Sequence, residues 1–291
     1  MSLAFATANE RRGERARLGG AEVRFVAHDD APLSKAELVF SALPHGASAA
    51  WVERVGGVGV RAVDLSSDLR PGHGASAVPY GLTELTRDQL PDAKVVANPG
   101  CYPTAILMAL VPLAKRGLIA PAAAVNANAA SGVTGAGLSP RADLLFGEVT
   151  EDYKAYAVGN SHRHLAEMRA VLGAHGADAD LIFTPHLLPV ARGILATITV
   201  PVTAELDDPL GPWREDFAGE PFVEIDPEPP TLRDVVRRNV VRISARYVAG
   251  VRQPTLLVIS AIDNLVKGAA GQAVQNANVV LGIDEPLGLP A

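Results

Sequence analysis

Lys94-Val-Val-Ala-Asn-Pro-Gly-Cys-Tyr-Pro-Thr-Ala-Ile-Leu-Met-Ala-Leu-Val-Pro-Leu-Ala-Lys-Arg-Gly117 reads as a strand, a sharp turn and a helix. Lys94–Ala97 is a short apolar strand, and Pro99-Gly100 makes the turn. From Tyr102 to Arg116 the pattern is helical. Pro103 suits the first turn, Ile106, Leu107, Leu110 and Leu113 form an apolar stripe, and Lys115, Arg116 and Gly117 suit the end. Cys101 sits at the helix start, where backbone N–H groups and the helix dipole favour a thiolate. The expectation is a lowered thiol pKa and a nucleophile. The competing reading of a lone cysteine is a small buried hydrophobe.

Working outward, the first hundred residues alternate short apolar runs with turn or helix material. Strands are expected at Leu3–Ala8, Ala21–Val26, Glu37–Ala42 and Val58–Leu65, with a helix over Ala47–Val55. Most of these runs are apolar almost without interruption, which fits a sheet covered on both faces in an α/β fold. Beyond residue 117 longer strands are expected at Ala122–Ala130, Asp180–Phe183, Ile194–Val200, Val240–Ala245 and Thr255–Ile262. These point to an α+β second domain with a larger mixed sheet. His164–Leu172 reads as a helix inside it, and Gly268–Leu281 as a last helix rich in small residues. Asp207–Glu220 is mostly polar, holds Pro209 and Pro212, and reads as a surface loop.

Composition sets the outer limits. The 291 residues fit two domains at about 100–200 residues each. That length buries a core without disulfide or metal staples. One cysteine excludes an intramolecular disulfide framework and multi-cysteine zinc or iron–sulfur centres. A net charge of −6 argues against a general nucleic-acid binder. No stretch reaches the roughly 20 apolar residues of a membrane span, and the N-terminal apolar run is too short for a signal peptide. A cytoplasmic protein that binds neither nucleic acid nor membrane is expected.

A thiol nucleophile needs a base, and seven histidines are available. Only His162 and His164 fall in a dense polar cluster, Tyr156-Ala-Val-Gly-Asn-Ser-His-Arg-His164. The alternative is a set of solvated residues capping the next helix, with Ser161 or Asn160 as cap. A metal is not expected, because the pair has no cysteine or carboxylate partner at suitable spacing.

The stretch Val96–Ala105, with Pro112 after it, resembles the active-site signature of the N-acetyl-γ-glutamyl-phosphate reductase family. That family is kin to aspartate-semialdehyde and glyceraldehyde-phosphate dehydrogenases. Ser41–Gly46, Asp64–Asp68, Pro79–Leu85, Ala130–Gly137, His162–His164, Pro185–Pro189 with Arg192-Gly193, and Asp263–Ala273 are similar to family segments in the same order. The resemblance implies a Rossmann-type nucleotide domain, incomplete at its N-terminus, over residues 1–100 and completed by the C-terminal helix 268–291. An α+β glyceraldehyde-phosphate-dehydrogenase-like catalytic and oligomerisation domain would span 101–267.

The implied reaction is NADPH-dependent reduction of N-acetyl-γ-glutamyl phosphate to the semialdehyde, with phosphate release, through a thioester on Cys101. The resemblance makes His162 the acid/base, with His164 as its competitor. It assigns Asn98, Ser131, Gly132, Tyr156, Arg163, His164 and Arg192 to the substrate. The cofactor NADP falls to Ser41, Pro44, His45, Asn264, Lys267 and Gly268, with Arg11 and Arg12 placed for its 2′-phosphate. A homo-oligomer, dimer or tetramer, is implied as well.

Two features depart from the family. No Gly-x-x-Gly-x-x-Gly turn opens the chain; Gly13, Gly19 and Gly20 have another spacing, so the first strand, turn and helix are expected to be missing and NADPH binding weak. The stretch 69–78 is also shorter than usual. Two other functions therefore stand beside the first. One is reduction of the aminoadipyl homologue, since a single methylene changes affinity by only about 1–3 kcal/mol. The other is a cofactor-less remnant serving as an oligomer partner.

Overall fold

The computed structural model describes residues 2–18, 20–74, 77–137 and 141–290. Gly19 and the Ala75-Ser76 part of the shortened stretch lie outside these.

The front of the chain forms two three-stranded sheets. Strands β1 (Ala6–Thr7), β2 (Arg15–Leu18) and β3 (Ala21–Val26) make the first, in the order β1-β3-β2. β2 and β3 are an antiparallel hairpin, whereas β1 runs parallel to β3. Strands β4 (Leu38–Ser41), β5 (Arg61–Asp64) and β6 (Val95–Ala97) make the second, all parallel. Helix α1 (Ser48–Gly57) joins β4 to β5 and packs Val52 and Val55 on Val39 and Ala62. The short helix α2 (Thr83–Thr86) lies on the path from β5 to β6. A cavity of about 730 Å³ separates the two sheets, lined by residues 2–7 on one side and 35–43 on the other.

Because β4, β5 and β6 are parallel, their carboxyl ends share one edge. That edge presents residues 42–46, 65–68 and 98–101, the place where open α/β sheets take ligands.

β6 runs through Asn98-Pro-Gly100 into α3 (Cys101–Ala114). Every residue of α3 from Tyr102 to Ala114 is buried, so its apolar stripe is in fact an apolar circumference. A helix of that kind belongs in the middle of a core. It lies against the seven-stranded mixed sheet of β7 (Ala123–Gly132), β8 (Lys154–Ala155), β9 (Ala179–Leu188), β10 (Ile194–Pro201), β11 (Val223–Ile225), β12 (Val241–Tyr247) and β13 (Thr255–Ile262). The strand order is β11-β12-β13-β10-β7-β9-β8. Alternation places Val125, Ala127, Leu181, Phe183, Ile194, Ile198, Leu256 and Val258 on the face toward α3. The other face shows Ile182, Leu195, Thr197 and Ile259, all partly or largely exposed.

The remaining helices are α4 (Phe146–Val149), α5 (His164–Ala174), α6 (Gly211–Asp216), α7 (Leu232–Val235) and α8 (Gly271–Val280). α5 packs Leu165, Met168, Val171 and Leu172 into the α3 core. α8 returns to the small parallel sheet, where Ala273, Ala277 and Val280 meet Val63 and Val96.

The α/β architecture with a second mixed-sheet domain is as expected from sequence. One segment is not. Asp207–Glu220 contains α6 instead of a plain loop, with Trp213 fully buried and Leu210 and Phe217 nearly so. Three apolar side chains among polar neighbours suffice, because they fill one site on α3, where Trp213 Nε1–H donates to the Ala109 carbonyl at 3.1 Å. Trp213→Ala is expected to destabilise the fold by about 3–5 kcal/mol, read from denaturant unfolding.

Candidate active site

Gly100 is the extended N-cap of α3, and its carbonyl accepts the Thr104 N–H at 2.9 Å to close the first turn. A Cβ at Gly100 would lie 2.7 Å from His164 Nε2 and 2.9 Å from Arg70 Nη1, so only glycine fits. The thiol is crowded on another side by Gly268, whose Cβ would stand 2.8 Å from Cys101 Cβ. Gly268 belongs to a wide turn, Val266–Ala270, with five-residue hydrogen bonds from its N–H to Asp263 O and from Ala270 to Leu265 O, each 2.9 Å. Such widened turns recur at functional sites.

Burial pushes the Cys101 thiol above its ordinary value. The Tyr102 N–H, Arg70 and Arg163 pull the other way, and Glu167 adds to the rise. This corrects the expectation of a lowered thiol pKa. The helix terminus acts in the expected sense, but desolvation of the thiolate outweighs it.

The two histidines differ. His164, at the start of α5, is buried; burial, then Arg70, His162 and Arg163, hold it neutral, far below the usual range. His162 is half-buried, and burial together with Arg163 lowers it to about 4. The His164 backbone N–H donates to His162 Nδ1 at 3.1 Å, so the neutral ring carries its proton on Nε2. Tyr102, Tyr156 and Phe183 surround that ring edge-on at 5.4–5.8 Å. The Tyr102 and Tyr156 hydroxyls meet at 2.9 Å.

Charge is uneven around the thiol. Arg70 donates to the Asn98 carbonyl at 2.8 Å and the Leu65 carbonyl at 2.7 Å, and its Nη1 lies 3.4 Å from Glu167. Arg163 has no hydrogen bond or ion pair among the described residues, and desolvation and Arg70 lower its pKa. Arg163 is exposed and acts electrostatically on the Cys101 thiol, and a guanidinium so placed suits a carboxylate or phosphate ligand.

The other expected residues fall into two groups. Ser131 and Gly132 end β7, and Gly132 is pressed on the Ala191-Arg192 peptide. Arg192 pairs with buried Asp263 at 3.4 Å while its side chain stays about a third exposed. Pro44 lines a second cavity with Asn9, His28 and Trp51, and His45 Nδ1 accepts the Ser67 N–H at 2.9 Å. Arg11 and Arg12 lie in the turn after β1, paired with Glu14 and Asp30 on the surface.

Four others are buried and hydrogen-bonded within the protein. Asn98 is buried and accepts from Asn276 Nδ2 at 2.9 Å. The Ser41 hydroxyl is 2.6 Å from that of Ser48, which donates to buried Asp64. Asn264 ties Gly193 N–H, at 2.7 Å, to Thr134 Oγ1, at 3.0 Å. Lys267 is fully buried and donates to Glu84 at 2.6 Å and Gln275 at 2.8 Å. A buried ammonium is stable only when paired, as this one is with Glu84.

Arg70, Tyr80 and Glu167 were missed as site residues. For Glu167 a signal existed: it lies one turn after His164 on the face of α5 that buries Leu165 and Met168, and a carboxylate there requires partners.

The semialdehyde dehydrogenase NAD-binding domain family matches residues 1–93, and the semialdehyde dehydrogenase dimerisation domain family matches 101–264. The N-acetyl-gamma-glutamyl-phosphate reductase of Ectopseudomonas mendocina is 42% identical over 287 residues, covering 92% of this chain and 82% of that protein. Aspartate semialdehyde dehydrogenase II from Vibrio cholerae superposes with a TM-score of 0.74 at 18% identity, over 94% of this chain and 88% of that one. Aspartate semialdehyde dehydrogenase with NADP from Candida albicans gives 0.67 at 13% identity, over 96% and 91%. These two likenesses speak for the fold. The chain belongs to the N-acetyl-gamma-glutamyl-phosphate reductase family of semialdehyde dehydrogenases.

The neutral histidines make stability depend on pH. Below the ordinary histidine value of about 6.5 the unfolded chain takes up protons, whereas folded His162 does so only near pH 4 and folded His164 well below its ordinary range. Stability therefore falls as pH drops from about 6.5 toward 4. Unfolding midpoints at pH 7 and 4.5 should show a smaller acid loss in the His162→Asn/His164→Asn double variant than in the parent.

Proposed function

We propose that this chain reduces N-acetyl-γ-glutamyl phosphate to N-acetyl-glutamate semialdehyde, with release of phosphate, in arginine biosynthesis. The observation that carries the reading is Cys101 at the N-terminus of α3, its thiol within the electrostatic reach of Arg163, with the neutral rings of His162 and His164 paired at 4.8 Å at the start of α5 beside Gly100. Related chains of that name share about two-fifths of its residues.

Cys101 Sγ attacks the acyl carbon, the bond to the phosphate oxygen breaks, and a thioester forms. NADPH, when bound, supplies the hydride that reduces it. His162 then holds a proton at Nε2 for the oxygen of the tetrahedral adduct, and collapse of the adduct returns the thiol and frees the aldehyde. Arg163 neutralises the phosphate as it approaches and leaves, and Arg192 is the cation for the substrate carboxylate. The raised thiol pKa suits this order of events. The resting thiol is protonated, and binding beside Arg163 places the acyl carbon before the thiol proton passes to the departing phosphate, since His162 already holds a proton on Nε2 and accepts the His164 N–H at Nδ1.

For the dinucleotide, the parallel strands β4 to β6 end at one edge, and beside them lies a cavity of about 730 Å³, within the range of cofactor sites. Pro44 and His45 follow β4 at that edge and would hold the ribose–phosphate part. Arg11 and Arg12, in exposed and therefore easily exchanged ion pairs, would select NADP through its 2′-phosphate. The open face of the seven-stranded sheet, with Ile182, Leu195 and Ile259, would join two copies. None of the described helices is long and apolar enough to cross a membrane.

Cys101→Ser should abolish turnover and keep the fold, read as acyl-phosphate-dependent NADPH oxidation beside a circular-dichroism melt. His162→Asn should lower kcat more than His164→Asn; the opposite order would exchange their roles. Comparable kcat/KM for the aminoadipyl homologue would remove the narrow substrate assignment.

A further inference from the structure

The most constrained group beside the thiol is one that the proposed chemistry does not use. Glu167 is fully buried on α5. Its Oε1 accepts the Gly100 backbone N–H at 2.9 Å and the Tyr80 hydroxyl at 2.7 Å, and its Oε2 lies 3.4 Å from Arg70 Nη1. Tyr80 and Arg70 are themselves buried. Arg70 in turn holds the carbonyls of Leu65 and Asn98, which close the ends of β5 and β6. One carboxylate thus joins α5 in the large domain to the peptide immediately before the nucleophile and to both strand ends in the small domain.

A buried ion pair is a poor way to gain stability, because desolvating both charges offsets most of their attraction. Its place gives it another use. Without Glu167, the charges of Arg70 and Arg163 would both bear on the thiol unbalanced. With it, the charge of Arg70 is matched internally, and Arg163, which has no ion pair among the described residues, is left for the substrate anion. The groups bearing on Cys101 are the Tyr102 N–H, the Tyr102 and Tyr156 hydroxyls, Arg70 from the loop after β5, and Arg163 and Glu167 at and around the start of α5, with His164 beside Gly100.

We infer that Glu167 is the positioning residue of the nucleophile: it fixes the Gly100–Cys101 peptide through the Gly100 N–H and balances Arg70, so that the thiol becomes a thiolate only against a bound substrate. This rests on the reductase reading for its purpose but not for its test. Iodoacetamide alkylation of Cys101, the only cysteine, is followed by mass spectrometry across pH without substrate.

In Glu167→Gln the anion is lost and Arg70 is unbalanced. The alkylation midpoint then falls by about half a unit or more. kcat falls about tenfold or more while KM changes less than about twofold, as for a displaced reacting group. A folded Glu167→Gln protein whose midpoint stays within about 0.2 units of the parent overturns the inference. If that variant does not fold, Tyr80→Phe decides, since it keeps the ion pair and strips one donor from Oε1. Its midpoint rises, because the carboxylate bears on the thiol less screened, and an unmoved midpoint overturns the inference. Parent protein that alkylates as described but reduces no acyl phosphate defeats the proposed reaction instead.

Discussion

Everything in the site depends on how closely other atoms approach the two peptides on either side of Gly100. No side chain fits there: His164 and Arg70 occupy one side, the Glu167 carboxylate takes the N–H, and Gly268 leaves no more than a hydrogen's width against Cys101. Packing at this density fixes the α3 terminus without a conventional side-chain cap, which α3 lacks. The large sheet then carries α3 as its central apolar helix, and the small parallel sheet delivers its strand ends to the same spot. The position of the thiol is therefore set by the two domains together.

Polarity around that point is handled in pairs. Lys267 is matched by Glu84, Arg70 by Glu167, and Arg192 by Asp263. Both histidines stay neutral, through burial and nearby guanidiniums. Arg163, near the thiol, has no such partner among the described residues. That imbalance is small and local, and it attracts an anion without giving the resting protein a reactive thiolate. Lowering the thiol pKa, as the helix terminus alone would do, would expose the enzyme to indiscriminate alkylation and oxidation.

Much of the architecture was legible in the residues. Thr255–Ile262 forms the strand expected, and the β6–turn–α3 unit stands where Asn98-Pro-Gly-Cys101 placed it. What local pattern does not carry is partnership across distance. Nothing around Lys267 in the sequence announces its partner Glu84, 183 positions away. Glu167 and Gly100 are 67 positions apart, and nothing in either neighbourhood announces the other. Trp213 was lost in a polar stretch for the same reason, since its hydrogen-bond acceptor, Ala109, lies 104 residues earlier. Near-neighbour chemistry predicts elements, and long-range pairing decides which polar groups remain free to act.

The return of α8 to the small sheet has a bearing on how the molecule is made. Asn276 reaches back 178 positions to Asn98, Gln272 reaches 189 to Thr83, and the Asn239 N–H is held by the Pro290 carbonyl. Contacts of such high sequence separation form late, because the intervening loop must first be ordered. During synthesis Cys101 therefore leaves the ribosome long before the Val266–Ala270 turn that presses on it and the α8 helix that follows. A nascent chain has its nucleophile but no chamber, and the reactive geometry is assembled only when the final residues dock.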